Sequence, residues 1–72
     1  MPKLPALRPR EVARILERAG FNFQRQKGSH QLYVKGSKGI TIPWHNKDLK
    51  KGTLRKIIKE TRLTIEEFLT FR

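Results

Sequence analysis

Between Gly20 and Pro43 the spacing of apolar residues switches from helical to alternating, and two short turns cut the alternating stretch into three pieces. Phe21-Asn22-Phe23-Gln24-Arg25 alternates apolar and polar residues, which predicts a strand with one buried face. Lys27-Gly28 reads as a turn. Ser29 to Lys35 then reads as a second strand, with Leu32 and Val34 on one face and Gln31 and Tyr33 on the other. Gly36-Ser37-Lys38-Gly39 is a second turn, and Ile40-Thr41-Ile42 is a third strand closed by Pro43. Strands this close in sequence must pair antiparallel, because parallel neighbours need a long crossover.

Helical spacing flanks the strands on both sides. Val12, Ile15, Leu16 and Ala19 recur at i, i+3, i+4 and i+7, with Arg10, Arg14, Glu17 and Arg18 on the other face. Pro9 suits the first helical position, Glu11 sits in the first turn, and Gly20 follows the end. Leu54, Ile57, Ile58 and Thr61 predict a second helix that starts near Gly52-Thr53, with Thr53 as its cap. Thr64 and Glu67 form a capping box for a short third helix, whose Ile65, Phe68 and Leu69 face inward. Residues 1–7, with two prolines and no period, read as a loose lead-in. The expected fold is α+β: α-β-β-β-α with a short extra helix, two helices on one face of a three-stranded antiparallel sheet. Double-stranded-RNA-binding domains (dsRBDs) share that layout. The 72 residues form one domain, since so short a chain sustains a single core.

Charge narrows the function. Seventeen Lys and Arg against six Asp and Glu leave a net charge of +11. Ten basic residues lie between Arg25 and Lys59, opposed only by Asp48, while Glu11, Glu17, Glu66 and Glu67 lie outside that stretch. A merely solvated face interleaves its signs, so this asymmetry points to a polyanion, and RNA phosphate is the natural one. Arg55, Lys56 and Lys59 lie off the apolar stripe of the second helix. Lys50, Lys51, Gly52 and Thr53 at its start offer either an anion seat or an ordinary helix start. No apolar run is long enough to span a bilayer, the start of the chain lacks a secretory h-region, and the chain has no cysteine. These features fit a cytoplasmic protein and exclude thiolate chemistry and cysteine-based zinc sites.

Two histidines carry what acid–base chemistry there is at neutral pH. They are separated by fifteen positions, and the six acids are scattered, so no metal site is expected. His30 follows Lys27-Gly28-Ser29, where Gly28 allows close backbone approach. Alternation puts His30 with Leu32 and Val34, which suggests the helix side at the rim of the core. It is either a histidine satisfied by a backbone carbonyl or a general base. His45 follows Trp44 in a loop, either packing there or serving as a second proton carrier. Tyr33 and Trp44 are candidates for base stacking or for ordinary packing.

The ordered series Ala19-Gly20-Phe21, Lys27-Gly28-Ser29-His30, Ile42-Pro43-x-His45, Lys51-Gly52-Thr53-Leu54 and Leu63-Thr64-Ile65-Glu66-Glu67-Phe68-Leu69 resembles the HicA family of mRNA interferase toxins. The resemblance covers roughly Pro9 to Leu69. It implies a dsRBD-like fold, cleavage of mRNA, and neutralisation by a HicB-type antitoxin that covers the active site. It implies His30 as the catalytic histidine and so favours the general-base reading. Gln31 stands where some relatives carry a second histidine, so a mechanism built on adjacent histidines does not transfer.

The expectation is therefore a metal-independent endoribonuclease without cofactor, monomeric when free. His30 would be catalytic, with RNA held by Lys27, Gly28, Ser29, Lys50, Lys51, Gly52, Thr53, Arg55, Lys56 and Lys59. His45, Ser29 and Tyr33 remain open as the second proton carrier. A non-catalytic RNA-binding module of the same fold is the alternative, and a charge-driven antitoxin-docking protein a third reading.

Overall fold

The computed structural model describes residues 3–72. Met1 and Pro2, part of the expected lead-in, lie outside the described residues. The order is α1 (Pro9–Arg18), β1 (Asn22–Lys27), β2 (His30–Lys35), β3 (Lys38–Pro43), α2 (Lys51–Thr61) and α3 (Ile65–Thr70). The strands form an antiparallel sheet in the order β1-β2-β3. The expected α+β class and α-β-β-β-α layout with an extra helix are thus present.

α1 and α3 are fixed by local contacts at their ends. α1 begins at Pro9, whose fixed φ suits the first position, and the Glu11 carboxylate accepts the Arg8 backbone N–H at 3.0 Å. At the other end the Lys35 ammonium donates to the Ala19 carbonyl at 2.8 Å, placing a cation at the negative helix end. Thr64 and Glu67 exchange hydrogen bonds of 3.0 and 2.8 Å, the capping box expected for α3. The apolar stripes meet in one core: Val12, Ile15 and Leu16 of α1, Leu54, Ile57 and Ile58 of α2, Phe68 of α3, and Tyr33, Ile40 and Ile42 of the sheet.

Three local expectations need correction. The lead-in is anchored rather than loose. Leu4 and Leu7 are buried, and the Leu49 N–H bonds the Leu7 carbonyl at 2.8 Å. These two leucines carry no period because they plug the core from an irregular segment. α2 starts at Lys51, with Lys50 as its cap residue and no capping side chain, so Thr53 is an interior helical residue. Finally, β1 buries none of its residues. Phe21 is buried, but it precedes the strand, and Phe23 is 49% exposed, set edge-on to the Tyr33 ring at 5.7 Å.

Candidate active site

His30 opens β2 and pairs with Lys27 of β1 and Pro43 of β3. Cross-strand partners project to the same side of a sheet, so register decides which side that is. Tyr33 pairs with Ile40, and Gln31 with Ile42, and the two isoleucines and Tyr33 are buried under the helices. His30, Leu32 and Val34 therefore point to the opposite, helix-free face. The sequence expectation put them on the helix side and is wrong. Alternation separates two sets of residues but does not say which is covered, and the Ile40/Ile42 pair on β3 settles it. His30 is exposed, Leu32 and Val34 half-buried.

A β-bulge brings cations to the same face. Phe23 pairs with Tyr33 and Arg25 with Leu32, which leaves Gln24 as an extra residue without a partner. Strict alternation would have aimed Arg25 and Lys27 to Phe23's side, whereas the inserted residue turns them onto the face of His30. Arg25, Lys27, Gly28, Ser29 and His30, with Leu32 and Thr41, line a surface cavity of 530 Å³. Its lining sets the cations Arg25 and Lys27 beside the apolar side chain of Leu32.

The turn before His30 is held from beneath. Gly28 has φ +58°, a left-handed conformation open to glycine at low cost. A Cβ there would meet no neighbouring atom, so its backbone angle alone calls for glycine. A chain of side-chain hydrogen bonds runs on the helix side. The Tyr33 hydroxyl donates to Gln31 Oε1 at 2.8 Å, Gln31 Nε2 donates to Gln26 Oε1 at 2.9 Å, and Gln26 Nε2 donates to the Gly28 carbonyl at 3.1 Å. The core is thereby tied to the turn that presents His30. Burial, helped by the nearby Glu17 carboxylate, pushes the Tyr33 hydroxyl above its usual range, so it stays protonated and a donor at neutral pH. Tyr33 is buried in the core and offers no face to a base.

A second cavity, of 330 Å³, adjoins on the β3 side and shares His30 and Thr41 as walls. Gly39 and Pro43 of β3 complete one wall. Thr53, Lys56, Ile57 and Glu60 of α2, one helical stripe at i, i+3, i+4 and i+7, form the other. Of the predicted RNA-binding residues, Lys27, Gly28, Ser29, Thr53 and Lys56 thus gather around His30. Lys50, Lys51, Gly52, Arg55 and Lys59 are exposed but line neither cavity. Arg25, Leu32, Thr41 and Glu60 were missed. The bulge that redirects Arg25 has no clear sequence signal, and the stripe through Glu60 is visible only once α2 is known to flank β3.

His45 stands apart. It lines a different cavity, of 450 Å³, with Arg8, Arg10, Glu11, Trp44 and Asn46, and its Nδ1 accepts the Lys47 backbone N–H at 3.1 Å. Trp44 is half-buried against the core, and its backbone N–H donates to the Ser29 carbonyl at 2.6 Å. Among the described residues, no three His, Asp or Glu side chains gather into a potential metal site. None of the described helices is long and apolar enough to cross a membrane.

Residues 9–63 of the 72 match the family described as the HicA toxin of bacterial toxin–antitoxin systems. The chain belongs to the HicA toxin family. A HicA toxin has an antitoxin as its partner. The match includes α1, the sheet, α2 and both cavities beside His30, whereas Phe68, fully buried, lies beyond it. No curated protein matches the chain.

Proposed function

We propose that this HicA toxin is a metal-independent endoribonuclease, an mRNA interferase, that works by histidine acid–base catalysis and is neutralised by a HicB-type antitoxin. The observation that carries the reading is the position of His30: exposed, between two cavities, with Arg25 and Lys27 in one and Lys56 in the other. An RNA strand laid across the helix-free face brings a ribose–phosphate junction to the imidazole. His30 takes the proton of the 2′-hydroxyl. The 2′-oxygen attacks the adjacent phosphorus, the bond to the 5′-oxygen breaks, and that oxygen picks up a proton from water. The products are a 2′,3′-cyclic phosphate and a 5′-hydroxyl end. Lys27 and Arg25 hold the phosphate and offset the charge that builds on it. Lys50, Lys51, Arg55 and Lys59, exposed but outside the cavities, add longer-range attraction for the polyanion.

Induced expression tests the reading in cells. Wild type is expected to arrest growth and fragment mRNA, His30→Ala to do neither, and co-expression of the antitoxin to restore growth. Growth arrest with intact mRNA, or arrest by His30→Ala equal to that by wild type, would overturn it.

A further inference from the structure

We propose that Glu60 forms the base-reading wall of a subsite beside the cleaved bond, selecting a nucleobase rich in hydrogen-bond donors, guanine above all. The inference rests on the nuclease reading and specifies its site.

Glu60 is out of place as a stabilising residue. It occupies the last turn of α2, where the helix dipole disfavours a carboxylate. Lys56 precedes it by four positions, the weaker order for a helical ion pair. Among the described residues Glu60, like Glu17 and Glu66, makes no ion pair and no side-chain hydrogen bond, but of these three it alone lines a cavity shared with His30. In a chain of net charge +11, a free carboxylate facing the cavity that His30 shares is a marked local exception.

A carboxylate repels phosphate and accepts hydrogen bonds only. What it takes in such a cavity is therefore the edge of a base. Single-stranded RNA offers its Watson–Crick edges for this purpose. Guanine presents two adjacent donors, N1–H and N2–H, that match two carboxylate oxygens. Uracil presents one N–H between two carbonyl oxygens and is repelled. The two cavities meet at His30 and Thr41, so a strand with its scissile phosphate at His30 has one neighbouring nucleoside in each. The cavity with Leu32 is lined by no acid, so it has no carboxylate to read the donors of a base. Selection thus falls at one position only.

The test is cleavage of a random single-stranded RNA pool by the purified full chain, with sequencing of the cut ends. Wild type is expected to prefer guanine over uracil at one position flanking the cut, by roughly 5- to 100-fold, the range for a bidentate base contact. Glu60→Gln, isosteric and exposed, should lose most of that preference. Glu60→Lys should shift it towards bases rich in acceptors. Cleavage that depends on His30 but whose base preference is unchanged in Glu60→Gln, or that shows no such preference in wild type, overturns this inference alone. Absence of any His30-dependent cleavage overturns the nuclease reading together with it.

Discussion

Tyr33→Phe removes a single oxygen from the interior and leaves the ring's packing intact. The oxygen's partner is Gln31 Oε1 at 2.8 Å, the first link of the chain that ends on the Gly28 carbonyl. A neutral hydrogen bond contributes about 0.5–1.5 kcal/mol net. Gln31 is half-buried, so water reaches its freed oxygen and the cost falls in the lower part of that range, about 0.5–1 kcal/mol. For a domain of this size, 1 kcal/mol moves Tm by roughly 4–8 °C, so the variant should melt about 2–8 °C lower. Because the chain of bonds acts as a unit, Tyr33→Phe and Gln31→Ala should couple, each costing less in the presence of the other. Thermal melts of wild type, the two single variants and the double variant form the cycle, with RNA cleavage measured on all four. Cleavage should fall in parallel in each variant, since the turn presenting His30 loses its tether. Purely additive melting shifts with undiminished cleavage would refute the claim that this network positions the turn.

Tyr33 is the only tyrosine, so phenolate absorbance reports it alone. It should titrate above 10.0 in the folded protein and at the ordinary value in denaturant. The folded state holds this proton more tightly, so the associated stability is complete below pH 10, declines as pH rises through the raised value, and does not decline in this way in Tyr33→Phe. Phe68→Ala, in the helix outside the family match, should cost about 3–5 kcal/mol in urea denaturation, a large share of what a domain this small possesses. A loss under 1 kcal/mol would show that α3 is dispensable. Lys27→Ala should lower the slope of log affinity against log salt for single-stranded RNA by about 0.7, the value for one phosphate contact. An unchanged slope would place Lys27 off the RNA.

Much of the architecture was legible in the residues. The α1 and α2 stripes, the Thr64/Glu67 box and the three-strand meander follow from periods of 3.6 and 2 and from local turn chemistry, which neighbouring residues decide. What escaped was decided across the sheet. The side on which His30 lies depends on its register with β3, and Arg25 and Lys27 join it because a single unpaired residue, Gln24, breaks the alternation. Leu4 and Leu7 are core residues set by tertiary packing, with no local pattern to reveal them. For the candidate site, the residues alone left His30 open between a structural and a catalytic role, and only the resemblance to the HicA family favoured the second. The separation of His45 into another cavity, and the approach of Glu60 to His30's, depend on where α2 and the loop after β3 settle.

The central claim is that the His30 imidazole moves the proton in RNA cleavage. Its most direct test is the cleavage rate of purified wild type and His30→Ala on single-stranded RNA in EDTA, with affinity measured on the same samples. The account predicts metal-free cleavage by wild type, a loss of about 10²–10⁴-fold in His30→Ala, and affinity nearly unchanged. Equal rates for the two proteins, or cleavage by wild type that EDTA abolishes, would contradict it.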